Sequence, residues 1–227
     1  MALQMEGMQF RLPGGLVRPR RQEETDDLGD TWTVVYCESV AEIPLRFSLL
    51  AGDLVHNLRS ALDYLAYQLV RLDNGKPGRR TAWPIFGEKP VGRSLSRYNA
   101  MVKGIKNEDA LVMIDWFQPH KKPANLLREN LELLAELDNI DKHRLVRPAV
   151  TLLTDLRIGQ EAIVVPGEVK AGNELFRIRG KMRPMGTLYK YELAFWEQQV
   201  STEKLNGLIQ TVRGVVDKVA VFFGPNS

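Results

Sequence analysis

The chain has 227 residues, of which 44% are hydrophobic and 26% are charged, the balance of an ordinary globular protein with room for a sizeable core. Its 31 basic and 28 acidic residues leave a formal net charge of +3, an excess too small to predict nucleic-acid binding by itself. Cys37 is the only cysteine, which excludes an intrachain disulfide and a cysteine-based zinc site and, with no apolar run long enough for a bilayer, predicts a cytoplasmic protein without a membrane span.

The chain begins with a segment that has little apolar content. Pro13-Gly14-Gly15 is followed by the basic cluster Arg18-Pro19-Arg20-Arg21 and then by an acidic cluster. This composition predicts a flexible arm over residues 1–30, whose basic residues either contact RNA or an acidic partner or are simply solvated. The β-branched and aromatic residues of Thr31–Val40 then predict a strand.

Two long helices follow. The first is predicted over Leu45–Leu72 and the second over about Ala124–Leu145, because leucines recur in both at steps of three and four residues. Shorter helical stretches lie near Ser94–Ile105 and Asp109–Phe117. Pro148 ends the second long helix.

Beyond Pro148 the pattern changes to alternating, β-branched segments separated by Gly and Pro. These predict an antiparallel sheet from about Ala149 to Gln198, followed by a final helix from Ser201 to about Phe223. The predicted fold class is therefore α+β. We expect an arm (1–30), a helical core with an N-terminal strand (31–148) and a sheet with a C-terminal helix (149–227), the last two packed as one globular unit.

The first long helix carries an unusual polar face. At about 100° per residue, His56, Arg59, Ser60, Asp63 and Tyr67 share one side, opposite the leucines. These residue types make short directional hydrogen bonds, so the face indicates a ligand site or a buried network. In the second case Arg59 and Asp63 form a structural ion pair, while His56 and Ser60 bond to a neighbouring loop. Both interpretations predict that the face is covered.

The second long helix has a comparable face with Glu132, Glu136, Asn139 and His143. A histidine at a helix C-terminus lies near the negative end of the macrodipole, which favours its protonated form and suits an acid or an anion binder. Alternatively, His143 or Arg144 caps the last helical carbonyls.

A metal site between the helices is the weaker interpretation of these acidic residues. Helical-bundle metal sites place Glu and His three residues apart, whereas Glu136 and His143 are seven apart. The chain also contains no Gly-rich phosphate loop, no H-E-x-x-H motif and no nucleophile elbow. We therefore predict neither a metal nor a cofactor.

Four motifs together resemble those of a family of uncharacterised proteins from actinobacteria and their phages. They occur in order between Leu45 and Val150, and they are Gly52 to Asp63 (G-D-L-V-H-N-L-R-S-A-L-D), Trp83-Pro84-Ile85-Phe86, Gln118-Pro119-His120 and Asn139 to Arg144 (N-I-D-K-H-R). The resemblance implies no function.

The last motif is also similar to the HEPN superfamily, helical bundles whose ribonuclease members carry R-N-x-x-x-H. Asn139 and His143 match the asparagine and histidine, but Asp138 stands where the arginine is expected. This departure argues against cleavage, because an aspartate repels the phosphate that the arginine would bind. Arg59 from the first helix would have to supply the missing cation.

The resemblance implies an HEPN-like bundle that binds a nucleotide or nucleic acid, such as RNA, in a cleft between two helices. If the protein is an enzyme, the reaction that the resemblance implies is metal-independent cleavage of RNA. It also implies a homodimer. The catalytic candidates are His143, Asn139, His56 and Arg59, and the ligand-binding candidates are Ser60, Asp63, Tyr67, Glu136 and Arg144. The alternative is a non-catalytic interaction or structural module in which the polar faces form a buried hydrogen-bond network.

Overall fold

The computed structural model describes residues 17–143, 148–152, 162–165, 168–181, 191–195 and 200–223. In these ranges the elements in chain order are β1 (Val17–Thr25), β2 (Thr31–Val40), α1 (Arg46–Leu72), α2 (Gly92–Met101), α3 (Glu108–Trp116), α4 (Leu126–His143), β3 (Pro148–Leu152), β4 (Ala162–Val164), β5 (Glu174–Arg179), β6 (Tyr191–Phe195), β7 (Val200–Ser201) and α5 (Thr202–Phe223). The protein is thus of mixed α+β class, as predicted, and divides into two compact units.

The first unit comprises Met1–Pro44 and Arg147–Ser201 and contains the strands. One sheet has four strands in the order β1-β2-β5-β4 and the other has three in the order β3-β6-β7, with antiparallel pairing between neighbours. In the first sheet, β2 and β5 lie in the middle, and the side chains of Val34, Val35, Phe176 and Ile178 on these two strands are fully buried. Their β-branched and aromatic content is what makes both strands predictable from sequence.

The prediction of a flexible arm over residues 1–30 is wrong from Val17 onward; residues 1–16 lie outside the described part. Residues 17–25 form β1, which pairs with β2 along its whole length. The connecting turn is stabilised by Asp26, whose Oδ1 accepts the backbone N–H groups of Leu28 and Asp30. Because β1 lies at a sheet edge and most of its side chains are exposed, its charged sequence is compatible with a strand.

The second unit comprises Leu45–Val146 and Thr202–Ser227 and contains the five helices of the described chain. Helix α1 packs on α4 and α5, and α4 also packs on α5. The packed faces bury Leu62 from α1, Leu131 and Leu134 from α4, and Leu208 and Val215 from α5. The apolar stripes that predicted these helices are therefore the surfaces that hold them together.

The predicted division at residues 31–148 and 149–227 also needs correction. Strand β2 belongs to the first unit, since it pairs with β5, and helix α5 belongs to the second, since its apolar face packs on α1 and α4. Both contacts join segments far apart in the chain, which local sequence patterns do not reveal. In the described residues, no helix has the length and apolarity needed to cross a membrane.

Candidate functional site

A short loop, Trp83 to Phe86 (W-P-I-F), is the centre of the polar contacts in the helical unit. Arg59 Nη2 donates a hydrogen bond to the Trp83 carbonyl oxygen at 2.6 Å, and the Trp83 N–H donates to Asp63 Oδ1 at 2.9 Å. Arg59 and Asp63 themselves form an ion pair with an N–O distance of 2.8 Å. One turn of α1 therefore satisfies both backbone polar groups of the fully buried Trp83.

The same loop is held from its other side by the Gln118-Pro119-His120 motif, just after α3. The Gln118 side chain is fully buried; its Nε2 donates to the carbonyl oxygens of Pro84 at 2.9 Å and Ile114 at 3.0 Å, and its Oε1 accepts the Phe86 N–H at 3.2 Å. His120 Nδ1 lies 3.1 Å from the Phe86 carbonyl oxygen. The first and third sequence motifs thus converge on the backbone of the second, the Trp83 to Phe86 loop.

The fourth motif contributes Lys142 to a second ion pair, on α4. Lys142 Nζ lies 2.6 Å from Asp138 Oδ2, and the Asp138 side chain is only 10% exposed. Burial raises the pKa of the nearby Asp63 carboxyl, the positive charge of Arg59 and the Trp83 N–H oppose this shift, and the negative charge of Asp138 adds to it. The two ion pairs therefore interact electrostatically across the α1–α4 contact.

A cavity of about 720 Å³ opens beside these ion pairs, between α1, α2, α4 and the loop that joins α1 to α2. We call it the arginine cleft. Its lining consists of Arg59, Asp63, Arg79, Arg80, Thr81, Ala82, Ile85, Phe86, Arg93, Ser96, Arg97, Met101, Ala135, Asp138, Asn139 and Lys142. Six of these side chains are cationic and two are anionic, so the lining has a strong positive excess even though the whole chain is nearly neutral.

The positive excess resides in Arg79, Arg80, Arg93 and Arg97. Both carboxylates of the cleft are already paired with Arg59 and Lys142. In the described part of the chain, none of the four arginines has a carboxylate within 4.0 Å, and all four are exposed. Their guanidinium groups are available to an external anion.

One wall of the cleft is apolar. It is formed by Ile85, Phe86 and Met101, and the Phe86 ring packs against Tyr98 of α2 with 6.0 Å between centroids. An aromatic ring beside arginines is a suitable surface for a planar ligand group such as a nucleobase. The cleft therefore offers both a cationic and an apolar recognition surface.

The predicted polar face of α1 is only partly covered. Arg59 and Asp63 contact the loop and line the cleft, whereas His56, Ser60 and Tyr67 are exposed and do not line it. The prediction that the whole face is covered is therefore wrong. At 100° per residue these three lie about 60° to 100° around the helix from Arg59, on the side of α1 that is exposed.

The predicted face of α4 is displaced in a similar way. Asn139 lines the cleft, but Glu132 and Glu136 are exposed and do not, and the buried acid of this helix is Asp138. The backbone of His143 ends α4; its side chain and the whole of Arg144 lie outside the described residues. Among the described residues no group of three or more His, Cys, Asp or Glu is arranged to hold a metal ion.

Sequence reasoning missed the four arginines that make the cleft positive. One signal was present: between Lys76 and Arg97 the basic residues are Lys76, Arg79, Arg80, Lys89, Arg93 and Arg97, and the one acidic residue is Glu88. Such a local excess is hidden in a net charge of +3 for the whole chain. Comparison of the chain with protein-family models, curated proteins and solved structures gives no significant match.

Proposed function

We propose that this protein binds a nucleotide or a nucleic acid through its phosphate groups in the arginine cleft. The observation that carries the proposal is the presence of Arg79, Arg80, Arg93 and Arg97, all without a carboxylate partner in the described chain, around one cavity of about 720 Å³. This volume lies within the range of ordinary small-molecule sites. The planar guanidinium fork of arginine matches the geometry of phosphate oxygens.

Charge repulsion supports an anionic ligand. Two cations about 6 Å apart repel each other by roughly 0.7 kcal/mol even at the dielectric constant of water, and salt screens only part of this. A structural role would place such arginines beside acids or backbone carbonyls. Arg128 of α4 shows that arrangement, because its side chain is buried and donates to the carbonyl oxygens of Trp116, Lys121 and Pro123. The cleft arginines have no equivalent contacts in the described chain.

The apolar wall favours a nucleotide over a small inorganic anion. Phe86, Ile85 and Met101 gain little from an inorganic phosphate, but they can bury the face of a base next to the bound phosphate. RNA is therefore a suitable macromolecular partner, as the resemblance to the HEPN superfamily implies.

Binding without cleavage agrees best with the positions of the catalytic candidates. Of the candidates that the structure describes, Arg59 and Asn139 line the cleft and His56 does not, while the side chain of His143 lies outside the described residues. Arg59 also cannot easily replace the missing arginine of the R-N-x-x-x-H pattern, since its guanidinium group is engaged by Asp63 and the Trp83 carbonyl.

The alternative function, a non-catalytic structural or interaction module, is supported for a different set of residues. Arg59, Asp63 and Gln118 form a hydrogen-bond network around the Trp83 to Phe86 loop. We propose that this network holds the loop in place and that ligand binding belongs to the arginines beside it. The homodimer implied by the resemblance stays a prediction, which size-exclusion chromatography with light scattering tests directly.

Binding of a fluorescently labelled RNA octamer, measured by anisotropy, tests the proposed function. We expect the wild-type chain to bind and the double variant Arg93→Ala/Arg97→Ala to bind at least tenfold more weakly. The matched control is Arg71→Ala/Arg213→Ala, which removes the same charge from exposed positions of α1 and α5 that do not line the cleft. Equal affinity of all three proteins, or no binding by any, would overturn the proposal.

A further inference from the structure

We infer that the arginine cleft contains two phosphate subsites, one at each pair of arginines, and that its ligand carries two neighbouring phosphate groups. This inference rests on the proposed function and specifies the chemistry of the ligand. A nucleoside diphosphate and a phosphodiester chain both contain this unit.

The first pair, Arg79 and Arg80, lies in a tight turn. Residues 78–81 are closed by two hydrogen bonds, from the Thr81 N–H to the Gly78 carbonyl oxygen at 3.1 Å and from the Gly78 N–H to Thr81 Oγ1 at 2.9 Å. The two arginines are the central residues of this turn and are exposed. A closed turn limits the backbone freedom of both residues, which lowers the entropy that would be lost on binding an anion.

The second pair, Arg93 and Arg97, lies on the first two turns of α2. Residues four apart in a helix are neighbours on one face, and both of these line the cleft. The helix dipole disfavours a cation such as Arg93 in the first turn of α2. No acidic residue in that turn offsets this repulsion. A bound anion would relieve both the repulsion between the pair and its repulsion by the dipole.

The two pairs line the same cavity, and contacts between the loop and α2 hold the segments that carry them together. The Ala82 N–H donates to the Met101 carbonyl oxygen at 3.3 Å, one residue after the turn, and Phe86 packs on Tyr98. The turn thus approaches the end of α2, whereas Arg93 lies near its beginning. A helix rises about 1.5 Å per residue, so Arg97 and Arg93 lie about 6 Å and about 12 Å before Met101 along the α2 axis. Because both pairs line the same cavity, one ligand with two neighbouring phosphates can contact both.

The donor count also favours two phosphates over one. Two arginines that bind in fork geometry present four N–H donors, which is enough to occupy the three terminal oxygens of one phosphate group. The second pair, which lines the same cavity, then remains for a second phosphate. The base of the same ligand would lie on the wall of Ile85 and Phe86.

Isothermal titration calorimetry with AMP, ADP, inorganic pyrophosphate and a 5′-phosphorylated dinucleotide tests the inference. For the wild-type chain we expect ADP to bind at least tenfold more tightly than AMP. AMP should still bind to each of two double variants, Arg79→Ala/Arg80→Ala and Arg93→Ala/Arg97→Ala. In both, the ratio of the ADP affinity to the AMP affinity should fall below about threefold. Glutamine substitutions at the same positions provide a second set of variants that keeps the side-chain length, and Arg71→Ala/Arg213→Ala should leave the ratio unchanged.

The ligand classes are separated by the same titrations. A dinucleotide that binds more tightly than ADP points to a nucleic-acid chain, and the reverse order points to a free nucleotide; either result supports two subsites. Equal affinities for AMP and ADP, or a ratio that depends on only one arginine pair, would overturn the inference while leaving phosphate binding intact. Absence of binding for every probe would instead overturn the proposed function.

Discussion

The backbone N–H of Trp83 donates a 2.9 Å hydrogen bond to Oδ1 of Asp63, twenty residues earlier in the chain. With the Arg59 bond to the Trp83 carbonyl oxygen, it joins the first sequence motif to the second. Gln118 joins the third motif to the same loop. The residues that stand out in the sequence thus form a scaffold, and the side chains that make the cleft positive lie in the segments that the scaffold positions.

Replacement of Gln118 by Ala should destabilise the protein strongly. The variant leaves the buried Pro84 carbonyl and the Phe86 N–H without their partner, and each unsatisfied buried group costs about 1 to 3 kcal/mol. Chemical denaturation measures the change in the free energy of unfolding. The control Gln210→Ala, at an exposed position of α5, should change it by less than about 0.5 kcal/mol. Similar values for both variants would show that the loop does not depend on Gln118.

Replacement of Asp63 by Asn should alter the pH dependence of stability. Burial raises the pKa of the Asp63 carboxyl in the folded chain above its pKa in the unfolded chain. The folded state therefore binds this proton more tightly, and the resulting stabilisation is complete when the pH is below the unfolded pKa. It is lost as the pH rises through the folded pKa. The amide that replaces the carboxyl in the variant does not titrate. The difference in melting temperature, wild type minus variant, should therefore increase as the pH is lowered from neutral toward about 4. A difference that decreases over this range would mean that the pKa is lowered instead.

Sequence patterns predict the elements of this protein better than their arrangement. The stripes of α1 and α4 and the β-branched run of β2 are local signals, and each element lies within a few residues of its predicted bounds. Strand β1 is rich in charged residues and lacks the alternation of apolar residues from which a strand is predicted. The turn from Asp26 to Asp30, which precedes β2, is nevertheless a signal for a hairpin. The cleft could not be foreseen, because its lining comes from four segments that only tertiary packing brings together.

Replacement of Gly52 by Ala should destabilise the α1–α4 contact. A Cβ atom at Gly52 would lie 2.9 Å from Cγ of Asp141 and closer still to its carboxylate oxygen, so the two helices or the Asp141 side chain must move. Because these atoms form the end of the Asp141 side chain and are not backbone, we expect a modest loss, about 1 kcal/mol, in the free energy of unfolding. The matched control is Gly214→Ala in α5, where the new methyl group meets nothing within 4 Å and should stabilise the helix by about 0.5 to 1 kcal/mol. Changes of the same sign in both variants would contradict close packing at Gly52.

RNA that binds to the protein should remain intact. Asp138 stands where the R-N-x-x-x-H pattern has its arginine, and Arg59 is held by Asp63 and the Trp83 carbonyl, so prolonged incubation of a labelled RNA between about pH 5 and 9 should yield no shorter products on a gel. A His143→Ala preparation serves as the comparison. Cleavage by the wild-type chain that disappears in His143→Ala would show that the protein is a ribonuclease.

The salt dependence of RNA-octamer affinity tests the central claim most directly. The logarithm of the association constant should fall linearly with the logarithm of the salt concentration, with a slope of about −0.7 for each phosphate that an arginine neutralises on a single strand. With four cleft arginines the slope should approach about −2.8 for the wild-type chain and become about 1.4 less steep in Arg93→Ala/Arg97→Ala. A slope near zero, or the same slope in both proteins, would contradict phosphate binding by the arginine cleft.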